Sequence, residues 1–373
     1  MSDELPTIWP YEPHTQAKHQ ILIKYLQAWT PILSRQAGAV SRKTTDIIYI
    51  DGFAGPGIYE SGEPGSPILA IQAVLNHSQK FPIPICLYFI EDRRDRYDRL
   101  LLEIDKYQNQ IKSSPNISLP KPLHGDCSEN LLKIINERND KNKPFGPALI
   151  FLDQFGYSQV PISLINTIMA MPQCEILTYF NWDHLNRFIS DSTKWRGITE
   201  AYGSDEWKQA IDKKGIERRN HILSFYKKAL YEKARVKYVI EFAMCGPDNN
   251  LLYWLFFCTN NLRGLEEMKK AMWGVDSTGS FRFSDKDNPD QLSLLSNYTQ
   301  DSLASELKKE LLGKTMTLEQ TKEYVLVNTP CYLYKEALKK LESRGQIQIR
   351  NVPETRRKGT FPDEKYPKML ISF

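Results

Sequence analysis

The chain has 373 residues, 41% hydrophobic and 25% charged, with 49 basic against 45 acidic side chains for a formal charge of +4. This composition excludes a disordered or low-complexity chain and leaves room for more than one buried core. So mild a charge neither demands nor forbids a nucleic-acid partner, because a basic patch is a local feature.

Six scattered cysteines lack C-x-x-C spacing, which argues against a zinc site or any other metal and fits reduced, buried thiols in a cytoplasmic protein. The acidic start Met1-Ser2-Asp3-Glu4 lacks the apolar core of a signal peptide, and no apolar run reaches membrane-span length. Residues 1–13 are rich in proline and aromatics and predict irregular chain. From His14, Ala17, Ile21, Leu22, Tyr25, Leu26, Trp29, Ile32 and Leu33 recur at helical spacing. His14 and Lys18 share a face of that helix, and alone they read as a solvated helix end.

Ile47-Ile48-Tyr49-Ile50-Asp51 is an apolar, β-branched run ending in a carboxylate, followed by Gly52-Phe53-Ala54-Gly55-Pro56-Gly57. A buried strand feeding a glycine loop is how an α/β sheet lets backbone approach a nucleotide-type ligand. A long polar stretch, 58–65, precedes Ser66-Pro67, read as N-cap and N1 of a helix to about Leu75; that delay argues against a dinucleotide fingerprint. A second strand, Ile85–Ile90, ends in Glu91-Asp92, with a charged helix to about Tyr107. Glu91 is placed to hold ribose hydroxyls, or else to favour the helix dipole.

A weaker third strand near Ile117–Leu123 leads to Asp126-Cys127 at a helix start. Ala148–Leu152 is a clear fourth strand ending in Asp153-Gln154-Phe155-Gly156-Tyr157, and Glu175–Phe180 is a fifth. Residues 183–235 read as a helical insert. Val236–Phe242 and Leu251–Cys258 then form an antiparallel hairpin, and Gly264–Trp273 a helix. A parallel sheet closed by such a hairpin is the topology of class I S-adenosylmethionine methyltransferases. A linker at 284–290 precedes three predicted helices, Leu303–Leu312, Thr317–Val327 and Lys335–Arg344. A strand at 346–349, a basic tip at 350–359 and a returning strand at 369–371 make a winged helix-turn-helix.

The expected architecture is a doubly wound, seven-stranded Rossmann-like α/β domain over 1–284 with the insert at 183–235, then a winged domain over 298–373. Four strand ends carry polar residues: Asp51 with Gly52, Phe53, Gly55 and Gly57; Glu91; Asp126 with Cys127; and Asp153. That register suits adenosylmethionine, with room for its methionine part, a carboxylate for ribose, a polar group for adenine and the sulfonium facing strand four. Arg350, Arg356, Arg357 and Lys358 are candidates for phosphate contacts, although winged helices also dock proteins.

Asp153-Gln154-Phe155-Gly156 resembles the [D/N]-P-P-[Y/F] motif of amino-group methyltransferases, with Gln154 and Gly156 departing from it. By that resemblance Asp153 accepts hydrogen bonds from a target amine and Phe155 or Tyr157 stacks on a flipped base; otherwise Asp153 only caps the next helix. Trp9, His14 to His19, Tyr25-Leu26-x-Ala28-Trp29, Asp51 to Gly57, Gly62-Glu63-Pro64-Gly65-Ser66-Pro67, Phe151 to Gly156 and Thr259-Asn260-Asn261-x-x-Gly264 together resemble the three-Cys-motif partner family. Its members typically carry Asp-Pro-Phe-Gly where this chain has Gln154. A fainter likeness, to ribosomal RNA adenine-N6 methyltransferases, implies that His14 and Lys18 fold over the cofactor.

The resemblances imply methyl transfer from adenosylmethionine to an amino nitrogen of a nucleic-acid base, with no metal. The alternative is a non-catalytic partner that recruits a three-Cys, radical-SAM-like protein to nucleic acid.

Overall fold

The computed structural model describes residues 6–40, 46–141, 145–154, 156, 159–278, 280–284, 298–362, 365–366 and 368–373. The expected linker from 285 onward, and Phe155 and Tyr157, lie outside these described residues. The chain divides into two compact units, Met1–Glu267 with Phe283–Asp287, and Met268–Arg282 with Asn288–Phe373. The chain passes from one unit to the other within the helix Leu262–Trp273, and again after Arg282 and after Asp287, close to the composition change near 284.

The first unit is built on β1 (Ile47–Asp51), β2 (Ile85–Glu91), β3 (Lys121–His124), β4 (Ala148–Leu152), β5 (Cys174–Phe180), β6 (Tyr238–Cys245) and β7 (Leu251–Thr259). A three-residue β8 (Arg282–Ser284) extends the sheet to the order β3-β2-β1-β4-β5-β7-β6-β8. β1 to β5 run parallel, and β7 runs antiparallel to both β5 and β6. β1, β2 and β4 are buried at every position, as central parallel strands covered on both faces must be. β6 instead alternates buried and half-buried residues. β3 begins later than its expected start: Ile117 makes only an isolated bridge to Ile85, and the ladder runs from Lys121, where Pro122 is tolerated because the strand is an edge. β8 is too short to leave a periodic signal in sequence.

The helix Pro13–Val40 packs Ile21, Leu22, Tyr25 and Leu26 into the core. Its Tyr25 hydroxyl donates to Glu175 at 2.5 Å, and the Thr259 hydroxyl donates to the other carboxylate oxygen at 2.7 Å. Burial pushes the Glu175 carboxyl up while these bonds hold it down. Gly264 makes the room: a Cβ there would stand 1.9 Å from Glu175 Oε1. Asn260 accepts from the Lys237 amide and donates to the Met169 carbonyl, and Asn261 accepts from the Arg263 amide. The Thr-Asn-Asn-x-x-Gly stretch is thus a structural lock at the amino edge of the sheet.

The second unit holds helices Gln300–Glu310, Leu318–Asn328 and Tyr334–Ser343 around Leu303, Leu307, Leu338, Leu341 and Ile371. Thr299 with Ser302, and Thr317 with Gln320, form capping boxes at the first two helix starts. A three-stranded antiparallel sheet follows the order β10-β11-β9, with β9 Thr315–Thr317, β10 Gln348–Arg350 and β11 Leu370–Ser372. The spacing predicts residue 317 inside a helix, whereas it ends β9 and caps the helix that follows. Three helices with this small sheet form the winged helix.

Gly264→Ala is expected to drive a methyl group into Glu175 and destabilise the protein by about 1–3 kcal/mol, the usual cost of overpacking. Urea unfolding checks this; an unchanged midpoint contradicts the assignment.

Candidate functional site

A cleft of about 240 Å³ opens at the carboxyl edge of the parallel strands. Its walls come from the glycine loop after β1, from Asp153 and Gln154 after β4, from Tyr179 and Asn181 at the end of β5, from Tyr253 near the start of β7, and from His14 and Lys18 of the first helix. Because β7 is antiparallel, its beginning lies at the edge where β5 ends, which is how Tyr253 joins residues far from it in sequence.

The glycine loop takes its shape from backbone constraints. Gly57 has φ +77°, and the Gly65 amide donates to its carbonyl at 2.8 Å, closing the polar excursion into a short hairpin with Ile58 opposite Pro64. A Cβ on Gly65 would meet the Gly57 backbone at 3.0 Å. Gly65, rather than Ser66, is the N-cap of helix Ser66–Leu75, with Pro67 in its first turn. Trp9 lies over the loop against Gly55 and under the Arg96 guanidinium, whose carbon is 4.6 Å from the ring centroid. Arg96 also donates to the Pro6 carbonyl at 3.0 Å, which ties down residues 6–9 as irregular chain, as the sequence predicts.

The strand-end carboxylates meet different fates. Asp51 is fully buried; its Oδ1 accepts from the Phe53 amide at 3.2 Å. Burial raises its pKa to about 7, the Ser66 hydroxyl favours its charged form, and the charge of Asp153 opposes it. Glu91 is buried, accepting from the Gly55 amide and the Arg93 amide, each at 2.8 Å. Burial still pushes it above the usual carboxylate range. Asp126 caps its helix by accepting from the Glu129 amide at 2.9 Å. Cys127 packs beneath Gly52, where a Cβ would fall 2.6 Å from its Sγ, and burial pushes its thiol up. Asp153 pairs with the Lys18 ammonium, and Lys18 stands 5.9 Å and 6.0 Å from the ring centroids of Tyr179 and Tyr253. His14 pairs with Glu12 at 3.0 Å and packs its ring edge-on to Tyr253.

Of the residues singled out in sequence, His14, Lys18, Phe53, Gly55, Gly57 and Asp153 line the cleft, whereas Asp51, Gly52, Glu91, Asp126 and Cys127 lie outside its lining. Sequence reasoning missed Trp9, Tyr179, Asn181 and Tyr253 as site residues. Asn181 carried a readable signal, since it follows a strand end as Asp153 does. Tyr253 required the hairpin register.

Gln154, which departs from the amino-methyltransferase motif, is buried and makes three bonds. Its Nε2 donates to the Tyr179 carbonyl, and its Oε1 accepts from the Gln159 and Val160 amides, all at 3.1 Å. The amide side chain therefore ties the end of β4 to Tyr179 of β5 and to Gln159 and Val160.

In the winged unit Arg350, Arg357 and Lys358 are exposed. Arg356 is not available in the same way: it forms a bidentate pair with Glu342 at 2.7 and 2.9 Å, with its side chain 6% exposed. Glu342 also accepts from the Gly359 amide at 2.7 Å, so the pair pins the wing to helix Tyr334–Ser343. Among the described residues there is no helix long and apolar enough to cross a membrane and no cluster of His, Cys, Asp and Glu suited to a metal.

Asp51 binds its proton more tightly in the folded state, so its contribution to stability falls as pH rises from the unfolded value near 4 to about 7. Asp51→Asn is expected to remove that loss, worth on the order of 4 kcal/mol. Thermal melts of both proteins at pH 4.5 and pH 8 check it: the variant should gain on the wild type at the higher pH, and parallel profiles contradict the burial argument.

A family model described as a GMT-like wHTH domain matches residues 282–354. No curated protein matches the chain. A solved structure, a DUF574 family protein from Streptomyces avermitilis, is similar at 8% identity and a TM-score of 0.30, over 66% of this chain and 84% of that one. The chain is a mixed α/β protein, with a large, mostly parallel sheet and a C-terminal winged helix-turn-helix.

Proposed function

We propose that the first unit binds S-adenosylmethionine and transfers its methyl group to an amino nitrogen of a nucleic-acid base, and that the winged unit holds the nucleic acid. One observation carries the reading: Asp153 and the glycine loop after β1 line the same cleft, at the carboxyl edge of a sheet ordered β3-β2-β1-β4-β5-β7-β6 with β7 antiparallel. That order is the topology of class I adenosylmethionine-dependent methyltransferases, and the carboxyl edge is where open α/β sheets hold ligands. Fold alone does not give function; the residues in the cleft narrow it.

The glycine loop faces the cleft and would take the methionine part of the cofactor, while Glu91, at the tip of β2 and outside the cleft's lining, would reach the ribose only by sharing its oxygens with two backbone amides. The cofactor supplies an electrophilic methyl group. Asp153 accepts a hydrogen bond from the target amine and so holds the nitrogen lone pair toward the methyl carbon. Gln154 ties the residue after Asp153 to Tyr179, Gln159 and Val160. Phe155 and Tyr157 are the candidates for stacking on a base turned out of its stack.

A second reading is binding without transfer. It is favoured by the ion pair between Lys18 and Asp153, which occupies the acceptor carboxylate. The protein would then bring a three-Cys partner to nucleic acid, as the family resemblance implies.

Tritiated methyl incorporation into mixed cellular RNA and DNA separates the two. Transfer should occur with the wild type and fall about 100-fold or more with Asp153→Ala, the scale of losing a positioned catalytic group. Binding by calorimetry without incorporation supports the second reading, and no binding by either protein removes both. For the winged unit, Arg357→Glu with Lys358→Glu should weaken nucleic-acid binding and flatten the dependence of log affinity on log salt, by about one in slope for each phosphate left without its cation. An unchanged slope points away from the wing as the binding surface.

A further inference from the structure

Lys18 and Asp153 are a nearly buried ion pair facing the cleft, with side chains 7% and 21% exposed. Tyr179 and Tyr253 flank the ammonium, with ring centroids 4.3 Å apart. A carboxylate and two aromatic rings thus surround one positive charge, and all four side chains line the same cleft as the glycine loop. Such surroundings are poorly matched to a lysine. An ammonium is compact and strongly hydrated, and at this distance it gains little from the rings. A carboxylate in so dry a place nevertheless needs a counter-charge, because leaving it unpaired is costly.

We propose that Asp153, Tyr179 and Tyr253 form a subsite for an organic onium cation, and that Lys18 fills it as a tethered stand-in which the ligand displaces. A sulfonium or quaternary ammonium has no N–H groups to solvate and loses less on leaving water, so it gains more from aromatic faces than lysine does. The displaced ammonium sits at the end of a long flexible stem and can swing toward solvent at the mouth of the cleft. The carboxylate then keeps a counter-charge in both states. The inference rests on the reading that the cleft takes adenosylmethionine, whose sulfonium is then the incoming cation; the neutral thioether of S-adenosylhomocysteine cannot replace Lys18.

Calorimetry with the two cofactor forms tests this. Lys18→Met removes the charge and keeps the length, and should bind adenosylmethionine about tenfold more tightly than wild type while leaving adenosylhomocysteine within about twofold. Lys18→Arg, which keeps the charge, should show no such gain. An equal change for both cofactor forms, or none, in folded Lys18→Met overturns the proposal. Where Lys18→Met does not fold, Asp153→Asn reports on the same subsite: the preference for adenosylmethionine over adenosylhomocysteine must shrink, and an unchanged ratio overturns it.

If neither cofactor form binds any of these proteins, the methyltransferase reading fails and tetramethylammonium chloride decides the subsite. It should raise the melting temperature of Lys18→Met above a matched sodium chloride control, but not that of the Lys18→Met/Asp153→Asn double variant. A shift independent of Asp153, or no shift, contradicts the subsite.

Discussion

Three carboxylates end neighbouring strands at one edge of a buried sheet, and each must be compensated where water is scarce. Much of the first unit's functional edge follows from how that is done. Glu91 takes the Gly55 amide and thereby ties the glycine loop to the tip of β2. Asp51 takes the Phe53 amide and is held above the usual carboxylate range. Asp153 takes Lys18, drawing the first helix over the cleft. The carboxylates in and around the cleft thus also shape it. Under the proposed function, binding would trade internal partners for external ones.

The central sheet was legible because parallel strands buried on both faces must be continuous apolar runs, and β1, β2 and β4 are such runs ended by polar residues. The antiparallel hairpin was legible from its turn chemistry. β3 was mislocated because an edge strand with Lys121 and Pro122 carries no apolar run, and β8 and β9 are too short for periodicity to register. The winged helix was readable from its helices and basic tip. What could not be read there was that Arg356 belongs to Glu342: two oppositely charged residues fourteen apart carry no signal until the wing folds back.

The site was legible by halves. Asp153 and the glycine loop announce themselves because strand ends and glycines are local features. Tyr253 reaches the cleft only through the register of β7 on β5, a long-range fact. Gln154 shows the opposite failure. Read as a motif position it looks like the loss of a rigid proline, but its three bonds tie it to Tyr179, Gln159 and Val160. A departure from a motif counts against a function only once the physical task of the missing residue is left undone.

The central claim is that the cleft beside Asp153 is an adenosylmethionine site. A crystal structure of the full chain grown with adenosylmethionine tests it most directly. The predicted result is the methionine part on the glycine loop, the sulfonium beside Asp153 and the rings of Tyr179 and Tyr253, and the Lys18 ammonium turned away. Cofactor bound elsewhere, or none bound, would contradict it.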